Sequence, residues 1–428
     1  MDTKPEQRSV DGEREHFIPV RKIDVLNALA DHGALHVAAD RDRFRRFCRL
    51  LGAIYHYEYH DQLESLRDSY FYFDPESDGH SRADSATLER AYRDLVIALT
   101  GALHDANFTE VAHEEIERAH RDDALVRVKI HASLDNYREI RFFRRGSHKE
   151  TVDLRKWFGF RSREVEVHVY DDVVMLVTVK ETDPGPKNGK APRSRKATLR
   201  PGAVLLKYFQ NIASADLNAL FPDVRVVMSL RDQLTLGVPA LIGGIPILLK
   251  LASTLTVLFL IAGFYLGLSN SVRDEEWAGA LAALSGLVAL GGFFFQQWIR
   301  FQRQTLLHQK AISDTIYFRN VNNNAGVFDS VIGEAEDQEC KEAFIAYYFL
   351  LVSDAQLTAE ALDRRIEGWF KQTFGTDLDF ECRDALSKLE GLDLLRRSDD
   401  RLSVLPLDEA LVRLDRAWDD FFTIPGKS

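Results

Sequence analysis

Two uncharged runs of 18 residues each stand close together in this sequence, at 251–268 and 278–295. As an α-helix, each run is about 27 Å long, which is close to the thickness of the hydrocarbon core of a bilayer. The short polar stretch 269–277 between them is typical of the tip of a helical hairpin. We therefore predict a two-helix transmembrane hairpin over 239–298. The alternative is a buried helical hairpin in a large globular core.

The charges that flank the runs predict an orientation for this hairpin. Lys250, Arg300 and Arg303 lie at its outer ends, whereas the tip holds one basic residue, Arg273, among three acidic ones. Short basic flanks stay in the cytoplasm, so both large polar segments and both termini are expected there. The polar start of the chain lacks the apolar segment of a cleaved signal peptide. The expected location is the inner (cytoplasmic) membrane of a bacterium, with the lipid bilayer as a partner.

Charge and cysteine content narrow the class of protein further. The net charge of −11 at pH 7 is opposite in sign to the basic surface of a general nucleic-acid binder. Cys48, Cys340 and Cys382 are too few and too widely spaced for a disulfide framework or a cysteine-based zinc site. These features indicate a reducing compartment, and no cofactor is predicted.

The N-terminal part of the chain is predicted to be a cytoplasmic α+β domain over 17–238, after a disordered segment 1–16. It is helical to about residue 120, with apolar residues at helical spacing in 41–66 and 85–105. The later residues are rich in β-branched side chains that alternate in part, which predicts strands. The predicted strands are 126–130, 137–143, 165–169, 173–179, 203–209 and 224–229. Residues 170–172, Tyr-Asp-Asp, are predicted to form the turn between two of them.

The C-terminal part of the chain is predicted to be a winged-helix-like domain over 334–428. It follows a helical connector and an Asn-rich turn at 299–333. Three helices, a short two-stranded wing and a closing helix describe such a domain. The predicted fold class is therefore α+β: a helical and then β-rich domain, the transmembrane hairpin, and the winged-helix-like domain.

One helix face carries a candidate metal site. His56, His60 and Glu64 fall at i, i+4 and i+8, so that all three point to the same side of a helix. Imidazole and carboxylate groups are ligands for divalent metals. The alternative is a face of aromatic packing with hydrogen-bonded histidines, and the absence of an HExxH pattern favours that alternative.

Two basic segments are candidate anion sites. Arg193, Arg195 and Lys196 lie in a loop rich in Pro, Gly and Lys/Arg, which predicts either attraction to anionic lipid headgroups or a solvated loop. The sequence Arg144–Arg145–Gly146 follows an apolar strand. It predicts either an anion site, together with Lys149 and Arg155, or a solvated hairpin turn, and the sequence does not decide between the two.

The predicted wing carries a third basic cluster, formed by Arg396, Arg397 and Arg401. A winged helix suggests DNA binding, which requires a basic surface. Residues 339–428, however, contain 12 basic and 19 acidic residues. This balance favours a protein partner, or self-association, over nucleic acid.

Several stretches of the sequence resemble one family. They are FIPVRKIDVLNAL near the start, IYHYEYHDQLESLRDSYFYFDP, the RRG turn, the stretch from VLLKYFQ to IGGIP, and IYFRNVNNNAGVFDSVIGEAEDQECKEAFIAYYFLL. Together they resemble the transmembrane-protein-143-like family, the domain of unknown function numbered 3754. The resemblance implies a two-span membrane protein with no established activity and no agreed catalytic residues.

The sequence leads to one favoured function and two alternatives. We expect a non-enzymatic, membrane-anchored protein that acts as an interaction, sensor or assembly module. The first alternative is a metal-dependent hydrolase at the membrane face that uses the two histidines and Glu64. The second is a membrane-tethered winged-helix regulator that uses the wing arginines.

Overall fold

The structure is a computed structural model, and it describes most of the chain outside the region 228–316. The described residues are 14–33, 38–78, 83–112, 129–132, 137–156, 161–181, 200–220, 224–227, 317–421 and single positions between 263 and 303. They divide into two compact units. The first unit takes its residues from Met1–Asp122, Leu134–Leu217 and Arg319–Ser428, and the second from Asp123–Ser133 and Asn218–Phe318.

The helices of the first unit surround one central helix. They are α1 (Lys22–Ala30), α2 (Ala38–Tyr70), α3 (Ser85–Asp105), α4 (Ala325–Leu351), α5 (Ala359–Phe374), α6 (Cys382–Gly391) and α7 (Leu407–Asp420). Helix α4 is the central one, because α1, α2, α3, α5 and α6 all pack against it. Its residues 343–350 are apolar on every side and are all buried, as expected for a helix end enclosed by other helices.

Aromatic rings fill the contact between α2 and α4. Phe47 stacks on Tyr347 with ring centroids 4.0 Å apart, and Phe44 meets Tyr348 edge to face at 5.4 Å. All four side chains are fully buried. Rings of this size bury a large apolar area, so this contact is a main source of the stability of the first unit.

Local capping explains where two of the helices begin and end. The Asp84 side chain accepts a hydrogen bond from the Thr87 backbone N–H at the start of α3. Thr358 caps α5 in the same way through Ala361, and Gly375 ends that helix in the left-handed conformation. These are the residue types that favour helix ends. The 85–105 helix expected from apolar spacing is observed over the same residues.

The first unit also contains an antiparallel five-stranded sheet with the order β1-β3-β4-β5-β7. Its strands are β1 (Thr109–Glu110), β3 (Tyr137–Lys156), β4 (Arg161–Val179), β5 (Val204–Ala213) and β7 (Asn320–Asn323). The long hairpin of β3 and β4 keeps one register from Lys156 opposite Arg161 to Glu139 opposite Thr178, and the register shifts before Tyr137, which lies opposite Val179. In the second unit, β2 (Lys129–Ala132) and β6 (Val224–Val227) form an antiparallel pair.

The predicted turn at 170–172 is wrong, because β4 passes through these residues without interruption. Tyr170 pairs with Ser147 and Asp172 with Arg145 on the neighbouring strand. Asp172 is buried rather than solvated. Two adjacent acidic residues resemble a turn in the sequence, but here one of them has a buried basic partner across the sheet.

The first described residues run as an extended segment that joins distant parts of the first unit. Ile18 donates its backbone N–H to Gln338 of α4, and its carbonyl accepts from the Lys341 ammonium at 2.7 Å. Arg14 pairs with Glu367 at 2.8 Å, and Ser147 donates to Glu15 at 2.9 Å. Arg14 and Glu15 belong to the segment 1–16 that was predicted to be disordered; residues 1–13 lie outside the described part.

The C-terminal elements follow α4 in the order α5, α6, β8 (Leu395–Ser398), β9 (Arg401–Val404) and α7. Strands β8 and β9 form a two-stranded antiparallel hairpin at the position of the predicted wing. Helix α4, however, begins at Ala325, inside the predicted connector. The N-terminal helices pack against it, so residues 334–421 share one compact unit with them.

The predicted transmembrane hairpin is contradicted. Within the part of the chain that the structure describes, no helix combines the length and the apolar character needed to cross a membrane. The two longest described helices, α2 and α4, both carry charged residues along their middle, whereas a span needs about 20 predominantly apolar residues. The uncharged runs 251–268 and 278–295 themselves lie outside the described residues, except at single positions.

This finding also overturns the predictions that depended on the hairpin. They are the membrane component of the fold class, the two-span membrane function with its membrane-tethered alternatives, and the location in a bacterial inner membrane. The fold class that the described residues support is a mixed α and β fold.

Candidate functional site

The middle of the central helix carries buried polar side chains. Gln338, Glu339, Lys341 and Glu342 are each at most 4% exposed, although they lie in a helix whose other inward residues are apolar. A buried charge is costly unless it is paired, so each of these groups must find a partner inside the protein. Gln338 binds the backbone of the extended N-terminal segment, and Lys341 binds the same backbone and pairs with Asp337 at 2.8 Å.

Glu339 and Glu342 find their partner on a different helix. The ammonium of Lys388 in α6 lies 2.9 Å from Glu342 Oε2 and 2.5 Å from Asp384 Oδ2, and it also contacts Glu339 Oε2. We call these four residues the carboxylate cluster. The spacing i, i+3 places both glutamates on one face of α4, and the spacing i, i+4 brings Asp384 and Lys388 together on α6.

Side chains from two further elements border the cluster. Asn107, just after α3, donates its amide to Glu342 Oε1 at 3.0 Å. Tyr59 of α2 donates to Asp105 at 3.1 Å. Tyr55, one turn earlier on α2, is 5% exposed, and its hydroxyl has no hydrogen-bond partner. Burial raises the pKa of Tyr55. Among the charged groups, Lys388 opposes this rise most strongly, and Glu339 adds to it.

The carboxylate cluster is electrostatically unbalanced. One ammonium faces three carboxylates, and Asp105 adds a fourth acidic group nearby. Burial, opposed by Lys388 and reinforced by Glu342, raises the pKa of Glu339 to about 8. Burial likewise raises the pKa of Glu342 and of Asp105. Burial alone lowers the pKa of Lys388, but Glu342, Glu339 and Asp384 outweigh it, so that this pKa is raised.

The cluster also has the geometry of a cation site. One carboxylate oxygen from each of Glu339, Glu342 and Asp384 lies within 4.8 Å of the other two, and these are the only described His, Cys, Asp or Glu side chains that form such a group. All three ligand atoms are oxygens. Oxygen ligands suit hard cations such as Mg²⁺, Ca²⁺ and Mn²⁺ rather than zinc or copper.

This site was not predicted from the sequence, although two signals of it are present there. The first signal is the pair Glu339 and Glu342, which directly precedes a long apolar stretch of the same helix. The second signal is the pair Asp384 and Lys388, which are one helical turn apart. Each pair alone is common on solvated helix faces. Only the packing of α6 against α4 brings the two pairs together.

A second set of buried charges lies at the candidate anion site 144–146. Arg145 is 3% exposed and lies within β3, so it is neither an anion site open to solvent nor part of a solvated turn. Its guanidinium binds Asp172 through Nε at 3.1 Å and Nη2 at 2.6 Å. It also donates to the carbonyl of Ala106 at 3.2 Å and pairs with Glu334 at 3.0 Å.

Aromatic rings and further donors complete this second set. The Arg145 guanidinium lies 4.4 Å from the ring centre of Phe17 and 4.7 Å from that of Phe108. The second oxygen of Asp172 accepts from Tyr208 at 2.8 Å and from Gln210 at 3.2 Å. We call these residues, with Glu334, the Arg145 cluster. Both oxygens of Asp172 and all three guanidinium nitrogens have hydrogen-bond or ion-pair partners.

The predicted metal ligands lie on the exposed face of α2. His56 binds Glu336 of α4 through Nδ1 at 2.8 Å, and Glu64 binds Arg67 at 2.7 Å. His60 is exposed. The three side chains therefore lie along one face of α2, but His56 binds Glu336 and Glu64 binds Arg67.

The predicted basic sites have different outcomes. Arg193, Arg195 and Lys196 lie outside the described residues. In the wing, Arg396 pairs with Glu409 at 3.1 Å, Arg397 pairs with Glu390 at 3.6 Å, and Arg401 donates to the carbonyl of Gln356. Each wing arginine therefore has an acceptor within the protein.

Comparison with known proteins adds one assignment. Residues 170–326 match the family model described as "Protein of unknown function (DUF3754)". No solved structure matches this chain. The matched stretch includes Asp172 and Tyr208 of the Arg145 cluster, and it ends before the carboxylate cluster begins at Glu339. Residues 170–326 of this chain therefore carry a domain of unknown function.

Proposed function

We propose that the chain binds a divalent cation through Glu339, Glu342 and Asp384. The observation that carries this proposal is the convergence of three carboxylate oxygens within 4.8 Å of one another in a largely buried place. Because every ligand is an oxygen, the cation is expected to be Mg²⁺, Ca²⁺ or Mn²⁺.

Electrostatics support the proposal. Three carboxylates and one ammonium carry a net charge of −2 when all are ionised, and like charges in a medium of low dielectric constant repel strongly. Burial is the main cause of the raised pKa of Glu339, and repulsion by Glu342 adds to it. A divalent cation relieves the same repulsion without requiring that a carboxylate be protonated.

The position of the site suggests what binding does. Glu339 and Glu342 lie on the central helix, and Asp384 lies on α6, which precedes the β8–β9 hairpin. A cation held by both helices ties α6 to α4. The proposed role is therefore cation binding that sets the docking of α6 in the first unit.

Isothermal titration of the full chain tests the proposal. Chelator-treated protein is titrated separately with Mg²⁺, Ca²⁺, Mn²⁺ and Zn²⁺. We expect one cation per chain for at least one of the first three, and loss of that binding in Glu342→Gln. The variant His56→Ala/His60→Ala is the matched control and should bind normally. Undetectable binding of Mg²⁺, Ca²⁺ and Mn²⁺ would refute the proposal.

The histidine face of α2 is a second proposed metal site. The specific observation in its favour is Glu336, whose carboxylate lies 2.8 Å from His56 and adds a ligand to the predicted set of His56, His60 and Glu64. Imidazole and carboxylate ligands favour Zn²⁺. In the same titrations, Zn²⁺ binding that disappears in His56→Ala/His60→Ala and survives in Glu342→Gln would identify this site.

We further propose a protein partner or self-association for the C-terminal elements, and no nucleic acid. This is supported by the wing arginines, of which Arg396 pairs with Glu409, Arg397 pairs with Glu390, and Arg401 donates to a backbone carbonyl. Sedimentation of the full chain over a range of concentrations tests self-association. A salt-sensitive complex with duplex DNA would contradict the proposal.

The narrower resemblance to the transmembrane-protein-143-like family is also a proposal. It is supported by FIPVRKIDVLNAL, a motif outside the matched domain whose residues Ile18, Val25 and Leu29 are fully buried in the first unit. A structure of a family member is expected to show this motif against its own central helix. A motif exposed to solvent there would contradict the proposal.

A further inference from the structure

The cation already present in the carboxylate cluster is the ammonium of Lys388. Its nitrogen contacts one oxygen each from Glu339, Glu342 and Asp384. An ammonium has three protons to donate, so these three contacts use its full capacity. The Lys388 side chain is 13% exposed, which leaves little room for water to share this role.

A divalent ion bound to the same three oxygens would lie where the ammonium that contacts all three now lies, and the two positive charges would repel each other. Binding at the proposed site therefore requires Lys388 to withdraw. Its four-carbon stem permits this, since a lysine is a point charge on a flexible chain.

The structure also contains acceptors for the withdrawn ammonium. The Tyr55 hydroxyl is buried and has no hydrogen-bond partner. Lys388 is the charged group with the largest electrostatic effect on this hydroxyl. Asp105 is a further carboxylate within electrostatic reach of Lys388, and Tyr59 donates to its Oδ2 only. The Tyr55 hydroxyl without a hydrogen-bond partner is a second observation at this site and is independent of the acidic residues. It indicates that a further group, either a ligand or the displaced Lys388 ammonium, binds there.

We propose that Lys388 is the internal counter-ion of the carboxylate cluster and that a divalent cation binds by displacing it toward Tyr55 and Asp105. This inference rests on the proposed function and adds its regulation: Lys388 competes with the cation and sets its affinity. Without the cation, Lys388 keeps α6 on α4; with the cation, the ion takes over that link.

Removal of the lysine charge tests the inference. In Lys388→Met the cation meets no competitor, so Mn²⁺ is expected to bind at least about ten-fold more tightly than to the natural chain. The matched control is Lys371→Met, which removes an exposed lysine of α5 whose partner Asp377 is 3.6 Å away. This control should bind Mn²⁺ like the natural chain.

Thermal unfolding provides a second readout. Lys388→Met leaves three carboxylates without a counter-ion, so its midpoint in chelator should fall well below that of Lys371→Met. Saturating Mn²⁺ should raise the midpoint of Lys388→Met more than that of the natural chain, because ligand that binds only the folded state stabilises it by mass action.

The Mn²⁺ affinities of these proteins distinguish failure of the displacement inference from failure of the cation-binding proposal. Equal Mn²⁺ affinity of the natural chain and Lys388→Met would overturn the displacement inference while leaving cation binding intact. Absence of Mn²⁺ binding from the natural chain and from Lys388→Met would overturn cation binding itself.

A second variant guards against loss of folding. Glu339→Gln/Lys388→Met removes one negative and one positive charge together. Its Mn²⁺ affinity should exceed that of Glu339→Gln alone. An affinity equal to or below that of Glu339→Gln would contradict displacement.

Discussion

The first unit contains two sets of buried charges along its central helix, and they differ in how well they are satisfied. In the Arg145 cluster, every guanidinium nitrogen and both Asp172 oxygens have partners, and two aromatic rings lie against the cation. In the carboxylate cluster, one ammonium serves three carboxylates. A neighbouring buried hydroxyl, that of Tyr55, has no partner.

This difference separates a structural role from a binding role. A buried pair with all hydrogen bonds formed fixes one arrangement of the chain, and removing either partner is costly. An excess of one sign of charge does not stabilise a fold. The Arg145 cluster therefore attaches the sheet to α4 through Glu334, whereas the excess of acidic groups around Lys388 is the feature on which the proposed cation binding rests.

The largest expected effect on stability comes from removing an ionic partner from the Arg145 cluster. Arg145→Met leaves Asp172 buried with its main ionic partner gone, which is expected to lower the free energy of unfolding by about 3–5 kcal/mol. Urea denaturation followed by circular dichroism measures this. The control is Lys149→Met on the same strand, whose pair with Glu166 is mostly exposed; it should change stability by less than about 1 kcal/mol.

The double variant Arg145→Met/Asp172→Leu sharpens this prediction. It removes both charges, so it should recover a substantial part of the stability that the single variant loses. A double variant no more stable than Arg145→Met would contradict the view that the cost comes from an unpaired Asp172.

The next largest effect is the dependence of stability on pH that the carboxylate cluster causes. The folded state raises the pKa of Glu339 from an ordinary 4.5 to about 8, so it binds more protons than the unfolded chain between these values. In chelator, the free energy of unfolding should therefore fall as pH rises toward 8, by about 1.4 kcal/mol per pH unit. Glu342 and Asp105 act in the same direction, since their pKa values are also raised.

Glu339→Gln is the matched variant for this pH dependence. It removes the titrating carboxyl, so its stability should vary less between pH 6 and pH 8 than that of the natural chain. Lys388 does not interfere, because its pKa is raised above an ordinary 10.5 and its contribution is lost only at higher pH. Parallel stability curves for the two proteins would show that Glu339 is not the group responsible.

A smaller contrast is expected between two tyrosines one helical turn apart. Tyr59→Phe removes the hydrogen bond to Asp105 and should cost about 1 kcal/mol in chelator. Tyr55→Phe removes a hydroxyl without a hydrogen bond and should change stability by about 0.5 kcal/mol or less. Equal losses in denaturant titrations would indicate that the Tyr55 hydroxyl is engaged in the cation-free protein.

The smallest effect is expected in the wing. Arg396 and Arg397 are exposed and pair with exposed glutamates, so Arg396→Gln/Arg397→Gln should change the free energy of unfolding by about 0.5 kcal/mol or less. Fluorescence anisotropy with labelled duplex DNA at low salt should show no binding by the natural chain. A larger loss of stability would indicate that the wing contributes to the fold as the two clusters do.

Prediction from the sequence worked where the information is local. The 85–105 helix was predicted from apolar spacing within a few turns, and it is observed over Ser85–Asp105. It failed where the deciding partner is distant in sequence. Asp172 was assigned to a turn because its partner Arg145 lies 27 positions away, and Lys388 lies 46 positions from Glu342. The membrane prediction rested on two uncharged runs, their flanking charges and the family resemblance, and no described helix supports it.

The candidate sites follow the same rule. The face of His56, His60 and Glu64 was visible because its members recur every four residues along one helix. The carboxylate cluster was not visible, because it needs α6 to pack on α4. The pairs Glu339 with Glu342 and Asp384 with Lys388 were its only local signs, and each pair alone is common on solvated helix faces.

An anomalous difference map of crystals grown with Mn²⁺ tests the central comparison most directly. We expect one Mn²⁺ peak about 2.0–2.6 Å from oxygens of Glu339, Glu342 and Asp384, with the Lys388 nitrogen moved away and the Arg145 cluster unchanged. A map without a peak at the carboxylate cluster, with Lys388 still bound to all three carboxylates at saturating Mn²⁺, would contradict the account.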